Sequence, residues 1–405
     1  MKFKLGLLGV VVTALAGCGG SGGGSSAVTG DACNELNNDT FNCSQMLSDI
    51  VEFGVRPSTT ALSDSAQTLH DTTDAYCAAL GGNTEAATLT SAKNAWGSAM
   101  VEVQQLNAME FGPLANSETG LEAIYAWPTV SSCLVDLQVM SAALGPDNRG
   151  GLYAMEYLLF GPAGEVSCTN DESSDVLEWA ANKSASEIQA ARCDYAQLVA
   201  DDLITKTSAL ATAMNEYDLA AANDSLQQSA GLVSDALFYI DKQTKDVKVK
   251  ALLPQADNDS FHADAVESQF ARLSKEHIKY NLVGARKIFT ADSHMGLDDY
   301  LAAADKQSIA DDMLATLDAA IVNLDSLSTN ADVTNESLFD IVTAGGDVSI
   351  CMNLGSSGVY DDASSDMDTL CALQYSVKQF TDILKGDYTL MTSFTVPATA
   401  DGDAD

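Results

Sequence analysis

The sequence has few basic residues, few aromatic residues and little proline for a chain of 405 residues. Lysine and arginine number 20 against 57 aspartates and glutamates, which leaves a formal net charge of −37. A surface this acidic repels phosphate backbones, so nucleic-acid binding is excluded as a function. Only 7 prolines and 7% aromatic side chains occur in a chain rich in alanine and leucine, and this composition favours helices.

Several motifs of common enzymes are also missing. The sequence contains no HExxH metalloprotease motif, no GxSxG elbow, no P-loop and no CxxC pair. The histidines are scattered, and no two of them have the spacing of metal ligands. His277 falls beside Glu276 in a predicted helix, and we interpret it as an ordinary packing residue.

The first residues predict export. A basic start at Met1 to Lys4 precedes an apolar run that is too short to span a bilayer. Leu15 to Cys18 resembles a bacterial lipobox, and the glycine- and serine-rich stretch after it would form a flexible tether. We therefore expect a signal peptide over residues 1–17, a lipid anchor on Cys18 and a place in the cell envelope. Gly19, next to the anchor, favours the outer membrane, with the domain facing the periplasm.

The remaining cysteines form an even set, which in an exported chain predicts disulfide bonds. Spacing alone does not determine their pairing. Proximity along the chain favours Cys33–Cys43, Cys77–Cys133, Cys168–Cys193 and Cys351–Cys371.

Apolar residues recur at helical spacing along most of the chain, so the sequence predicts an all-α fold. The predicted helices cover residues 61–80, 85–111, 132–144, 149–160, 172–218, 224–250, 264–290, 297–328 and 362–384. The segment 251–261 breaks the periodicity and is a candidate hinge. The predicted organisation is a tether at 18–44, an N-terminal bundle at 45–250, a C-terminal bundle at 251–390 and an acidic tail at 391–405.

One predicted helix carries an unusual carboxylate. Between Gly151 and Gly161 the apolar residues occupy most faces, so the helix is expected to be buried nearly all round. Tyr153 and Glu156 lie three residues apart on one face. Because a buried carboxylate is costly unless it is paired, hydrogen-bonded or bound to a cation, Glu156 either meets a buried basic residue or belongs to a site.

This segment resembles the hallmark of the imelysin family, exported iron-regulated proteins also classed as M75 peptidases. The matching positions are Gly151, Glu156 and the run from Tyr157 to Gly161. Further similarity lies at Ala95-Trp96, Glu110 to Pro113, Ile124 to Pro128, Glu267 to Phe270 and Asn281 to Gly284. The resemblance covers roughly residues 45–385. It implies two helical bundles packed side by side, with the Tyr153 helix near their junction.

The chain departs from the family at Tyr153, where the family has a histidine that is a proposed metal ligand together with the following glutamate. A phenolate oxygen suits Fe(III) better than zinc. Two outcomes therefore stay open: an all-oxygen ferric site, or loss of the metal with retention of the fold. In the first case Glu110 and Glu267 are the candidates to join Tyr153 and Glu156 as ligands.

The leading hypothesis for function is a lipid-anchored envelope protein that binds iron, or an iron-bearing ligand, during iron uptake. An M75-like metal-dependent peptidase is the second hypothesis, but Tyr153 removes its most plausible nitrogen ligand, so we favour a protein without catalytic residues. The third is a metal-free interaction protein whose partner is an iron-uptake or haem protein.

Overall fold

A computed structural model describes residues 32–128, 131–146, 149–254, 260–326, 337–346, 366–392, 394, 396 and 397. Over these ranges the regular structure is helical and contains no strand, which confirms the predicted all-α fold. The α-helices are α1 (Ala32–Glu35), α2 (Cys43–Asp49), α3 (Arg56–Ala78), α4 (Glu85–Asn107), α5 (Leu121–Tyr125), α6 (Ser132–Ser141), α7 (Gly151–Phe160), α8 (Ser174–Ala181), α9 (Ala185–Glu216), α10 (Leu226–Leu237), α11 (Ser274–Phe289), α12 (Leu297–Ala303), α13 (Gln307–Ser326), α14 (Leu338–Ala344), α15 (Asp366–Ile383) and α16 (Thr389–Thr392).

Some expectations fall outside the described residues. These are the signal peptide at 1–17, the lipid anchor on Cys18, Cys351 and most of the acidic tail. The candidate hinge is described only at its two ends, because residues 255–259 are not included. None of the described helices combines the length and the apolar character that crossing a bilayer requires.

Serine caps set several helix starts. The Ser131 hydroxyl accepts a hydrogen bond from the Leu134 amide at 3.2 Å, which fixes the start of α6. Ser184 and Glu187 form a reciprocal capping box at the start of α9. The predicted helix over 172–218 is therefore two helices, α8 and α9, separated by this cap.

Within the described ranges, three segments wind as π-helices, with hydrogen bonds to the fifth residue along. They are Ile50–Val55, Ile240–Val249 and Leu384–Tyr388. The first joins α2 directly to α3, and the last joins α15 directly to α16. Such segments are rare and occur often at functional sites. Short 3₁₀ turns lie at Gly112–Ala115, Leu219–Ala221, Lys250–Leu252, Ala263–Ala265 and Ala291–Ser293.

The predicted pair of packed bundles is confirmed. Helices α3, α4 and α9 pack together in the first half, and α11, α13 and α15 pack together in the second. Helices α4 and α11 cross between them, and one continuous apolar cluster runs through both bundles. The crossing is close, because a Cβ atom on Gly284 of α11 would overlap the Gln105 carbonyl oxygen of α4. The bundle limits at residues 250 and 251 stay a prediction.

The disulfides follow packing more than proximity in sequence. Cys33–Cys43 is confirmed. The pairings Cys77–Cys133 and Cys168–Cys193 are wrong, because the bonds are Cys77–Cys193 and Cys133–Cys168. Helices α3 and α9 are packed neighbours, and this brings Cys77 within 5.4 Å (Cα to Cα) of a cysteine 116 residues away. Cys371 is also disulfide-bonded.

Candidate functional site

Helix α7 carries Tyr153 and Glu156 into the interior, as expected. It begins at Gly151, whose positive φ of 71° and close approach to the Ile124 carbonyl both require glycine. Its apolar residues are buried, and the carbonyl of Leu152 accepts a hydrogen bond of 2.8 Å from the Trp96 indole of α4. The helix is thereby fixed against the bundle junction.

The Glu156 carboxylate binds the chain segment that leads into α11. Its side chain is buried, and Oε1 accepts three hydrogen bonds, from the Ser268 hydroxyl at 2.9 Å and from the amides of Phe270 and Ala271 at 3.0 and 2.9 Å. Burial raises the pKa of Glu156 in spite of these bonds. A buried lysine or arginine was one predicted partner for this group, but hydroxyl and backbone donors occupy that place.

Glu267 lies at the centre of a buried polar network. Its Oε1 accepts hydrogen bonds from the Gln104 amide at 2.9 Å and from the Tyr125 hydroxyl, and it pairs with the Lys248 ammonium at 2.9 Å. Burial alone would raise the pKa of Glu267, but Lys248 and His277 together hold it well below its usual range. Glu267 is therefore a charge-balanced anion.

Lys248 is held by several groups besides Glu267. Its ammonium donates to the Gln104 side chain at 2.7 Å and to the Asn281 side chain at 2.9 Å. The Trp127 and Tyr239 ring centroids lie 5.4 and 5.5 Å from the same nitrogen. Burial lowers the pKa of Lys248, and the charge of Glu267 opposes that shift.

His277 completes this network. Its Nδ1 lies 3.3 Å from Glu267 Oε2, the side chain is buried, and Nε2 has no hydrogen-bond partner among the described residues. We call Glu267, Lys248, His277, Gln104 and Asn281 the junction cluster.

Neither Lys248 nor His277 was predicted from the sequence as part of a site. The position of His277 was readable, because it shares the buried face of α11 with Asn281, Ala285 and Ile288 at helical spacing. Lys248 gave no such signal, since it lies in a separate element, the π-helical segment Ile240–Val249.

Tyr153 lies beside the junction cluster. Burial raises its pKa to about 12, and the charges of Glu156 and Glu267 add to the shift. Three of the four predicted site residues, Tyr153, Glu156 and Glu267, therefore share one electrostatic environment. At neutral pH the Tyr153 phenol keeps its proton.

The fourth predicted residue, Glu110, lies in a separate cavity of about 250 Å³. We call this cavity the acidic cleft, and its walls include Glu110, Glu122, Tyr125, Trp127, Tyr239 and Gln243. Glu110 is largely exposed, yet partial loss of hydration and the charge of Glu122 raise its pKa. The cleft reaches the junction cluster through Tyr125, whose hydroxyl donates to Glu267.

A second cavity, of about 430 Å³, lies between α4 and α11. We call it the His277 cleft, and its walls include Lys93, Asn94, Phe160, Glu276, His277 and Tyr280. The two oxygens of the Glu267 carboxylate therefore contact different clefts. Oε1 accepts from Tyr125 in the wall of the acidic cleft, and Oε2 faces His277 in the wall of the His277 cleft.

The sequence and the fold both resemble those of known proteins. The sequence model of the M75 peptidase family, described as imelysin, matches residues 55–343. The chain belongs to the imelysin family. No curated protein matches the chain.

Two solved structures are similar to this imelysin. One is a protein from Parabacteroides distasonis named as an iron-regulated protein A precursor, with 16% identity, a TM-score of 0.60 and coverage of 91% of this chain and 96% of that one. The other is an imelysin-like protein from Psychrobacter arcticus, with 16% identity, a TM-score of 0.61 and coverage of 91% and 99%. At this identity the likeness establishes the fold alone.

The metal site that the family suggests does not fit the residues of this imelysin. Among the described residues, no group of three or more histidine, cysteine, aspartate or glutamate side chains is arranged to hold a metal ion. Glu267 is neutralised by Lys248, and Glu156 already accepts three protein donors on one oxygen. Tyr153 would have to lose a proton from a phenol whose pKa is raised to about 12.

Proposed function

We propose that this imelysin is an exported, lipid-anchored protein that binds an iron-bearing ligand in the acidic cleft. The observation that carries the proposal is that the carboxylates of Glu110 and Glu122 are not neutralised by a basic side chain of the described residues. Both line the cavity, and neither forms an ion pair within the described parts of the chain. The buried carboxylates Glu156 and Glu267, by contrast, are already committed to protein donors.

Two carboxylates are too few to satisfy a bare iron ion, so the proposed ligand brings most of its own donor atoms. Carboxylate oxygen is a hard donor that suits Fe(III). The aromatic walls formed by Tyr125, Trp127 and Tyr239 give an organic chelate apolar surface to pack against. At about 250 Å³ the cleft suits a small chelate or one part of a larger one.

Further support comes from outside the cleft. One similar structure belongs to a protein named as iron-regulated. The disulfides indicate an oxidising compartment, and the lipobox-like sequence ending at Cys18 supports a lipid anchor.

Titration of the full chain with ferric nitrilotriacetate tests this function, because that chelate is uncharged and leaves two coordination positions on the iron for the carboxylates of Glu110 and Glu122. Binding would be followed by tryptophan fluorescence, because Trp127 lines the cleft, and bound iron would be counted by elemental analysis after dialysis. We expect the double variant Glu110→Gln/Glu122→Gln to bind at least about tenfold more weakly, which corresponds to about 1.4 kcal/mol. Glu118→Gln is the control, because Glu118 is an exposed carboxylate that lies between Glu110 and Glu122 in the sequence and is not part of the cleft wall.

Tyr153→Phe separates this site from the alternative ferric site. We expect Tyr153→Phe to bind ferric nitrilotriacetate as the wild type does, without a phenolate-to-iron absorption band in either protein. A band that disappears in Tyr153→Phe would move the iron to the junction and overturn the proposal. Unchanged binding in the Glu110/Glu122 double variant would overturn it as well.

A further inference from the structure

The His277 cleft has features of a built ligand site that the acidic cleft does not share. It lies between α4 and α11, and Phe160, the last residue of α7, forms part of its wall. Its exposed lining is mostly apolar, and its cavity of about 430 Å³ falls within the usual range of small-molecule sites. Any ligand chemistry must therefore come from the few polar groups in its wall.

The first of these groups is His277. Its side chain is 2% exposed, and Nδ1 faces Glu267 Oε2 at 3.3 Å. Nε2, the second ring nitrogen, is also buried and has no hydrogen-bond partner in the described part of the chain. An unpartnered buried nitrogen is costly, so a ligand atom that bonds to it regains free energy that the protein alone does not recover.

The second group is Lys93. Its ammonium lies 4.8 Å from the centroid of the Phe160 ring, and the described residues offer it no ion-pair partner. The ammonium is therefore available to a negatively charged ligand at the cleft.

The remaining charge in the wall limits the ligand's charge. Glu276 lines the same cavity, so a ligand with two negative charges would meet about twice the repulsion that a single negative charge meets. The apolar remainder of the wall, including Phe160 and Leu273, favours a hydrocarbon body.

We propose that the His277 cleft binds a small monocarboxylate with an apolar body. The carboxyl group shares one hydrogen bond with His277 Nε2, whichever of the two carries the proton, and pairs with the Lys93 ammonium. The hydrocarbon body packs against Phe160 and its apolar neighbours. This site is separate from the acidic cleft, so the inference does not rest on the iron-bearing ligand.

The test is calorimetric titration of the full chain with two carboxylates, phenylacetate and hexanoate. The uncharged analogue phenylacetamide and the cationic analogue phenethylamine serve as comparisons. We expect at least one of the carboxylates to saturate one site and to bind at least about tenfold more tightly than both analogues. Absence of saturable binding by both carboxylates, or equal binding of phenylacetate, its amide and the amine, would overturn the proposal.

Two variants locate the site. Lys93→Gln lies at the surface and keeps the junction cluster intact, so it is expected to fold and to weaken carboxylate binding about tenfold. Lys183→Gln is the matched control, because Lys183 also lies over an aromatic ring, that of Trp179 at 5.4 Å, but in another part of the surface. Equal affinities in these two variants would contradict the assignment. His277→Gln should weaken binding further, with circular dichroism used to confirm folding.

Ferric nitrilotriacetate binding to Lys93→Gln distinguishes the two sites. We expect it to equal that of the wild type, whereas the Glu110/Glu122 double variant should bind phenylacetate normally. The two proposals can therefore fail independently, because each cleft is tested with its own ligand and its own variant.

Discussion

Lys248 and Glu267 form a buried ion pair whose two members depend on each other. The ammonium and the carboxylate oxygen lie 2.9 Å apart, and both side chains are almost fully buried. Removing one member leaves the other charge unpaired in a medium of low polarity, which costs more than the pair contributes. The surrounding amides of Gln104 and Asn281 lose partners at the same time.

We therefore expect Lys248→Met to lower the free energy of unfolding by about 3–5 kcal/mol. The double variant Lys248→Met/Glu267→Gln should recover a large part of that loss, because no unpaired charge remains. Urea denaturation of the two single variants, the double variant and the wild type gives the coupling energy directly. Additive losses would contradict the mutual dependence.

Glu156 has the opposite pH behaviour to Glu267. Its folded pKa is raised above the ordinary value of 4.5, so folding favours its protonated form. The stability that it contributes is complete below the unfolded pKa and is lost as pH rises through the folded pKa. The pKa of Glu267 is depressed, so its contribution is present above the unfolded pKa and is lost only as pH falls through the folded one.

Glu156→Gln should therefore remove one source of the pH dependence of stability. It keeps a side-chain oxygen that can accept from Ser268 and from the amides of Phe270 and Ala271. We expect its stability relative to the wild type to increase as pH rises above about 4.5. Glu156→Ala, which leaves three donors without an acceptor, should lose about 3 kcal/mol or more near neutral pH. Urea midpoints across the pH range check both, and a Gln variant as unstable as the Ala variant would contradict the account.

At the scale of the helix, the crossing of α4 and α11 depends on one small residue. Gly284 has the backbone of Gln105 directly against it, whereas Gly97, on α4, has only the far end of Leu273 at 3.8 Å. The Asn281 amide donates to the Gln104 carbonyl at 2.7 Å one turn away. The stretch from Asn281 to Gly284 that resembles the family is therefore the contact between the bundles.

Gly284→Ala is expected to force the two helices apart and to cost at least about 1–3 kcal/mol of stability. Gly97→Ala should be neutral or stabilising by up to about 1 kcal/mol, since it adds helix propensity in ordinary van der Waals contact. Thermal unfolding of Gly284→Ala and Gly97→Ala tests both predictions. Similar shifts in Tm for the two variants would contradict a close crossing of the helices.

Most helices were predictable, because helical periodicity is a local property of the sequence. The break between α8 and α9 was readable in principle from Ser184 and Glu187. The start of α11 was not: the predicted helix over 264–290 begins at Ser274, and the amides of Phe270 and Ala271 before it donate to Glu156, more than a hundred residues away. A tertiary partner of this kind overrides local helical preference.

Some residues of the candidate site were likewise predictable from local sequence, and others were not. Tyr153 and Glu156 were identifiable because they lie on one short apolar helix, and the resemblance added Glu267. Their assignment as metal ligands depended on which groups surround them, and those groups include Lys248 and His277 from other elements. Charge balance between side chains on separate elements has no signature in sequence spacing.

For the whole molecule, the longest described covalent link is Cys77–Cys193, which closes a loop of 116 residues between α3 and α9. Cys133–Cys168 closes a loop of 35 residues and lies in a small satellite cluster with Val176, away from the main core. The entropy of the unfolded chain is reduced more by the longer loop.

Replacing Cys77 and Cys193 by alanine should therefore lower the free energy of unfolding by about 4–5 kcal/mol. The same change at Cys133 and Cys168 should have a smaller effect on the main transition, because the satellite cluster contributes little of the core. Chemical denaturation under non-reducing conditions compares the two variants, and a larger loss from the shorter loop would contradict this order.

The position of Glu267 has one more consequence, for communication across the molecule. Its two oxygens contact Tyr125 and His277, which line different clefts, so a ligand that shifts either contact redistributes charge at the other. If both clefts bind ligands as proposed, their occupancies would be thermodynamically linked through this carboxylate. The factor by which one ligand changes the affinity of the second must equal the factor by which the second changes the affinity of the first. A single buried carboxylate would thus make two separate cavities one cooperative receptor.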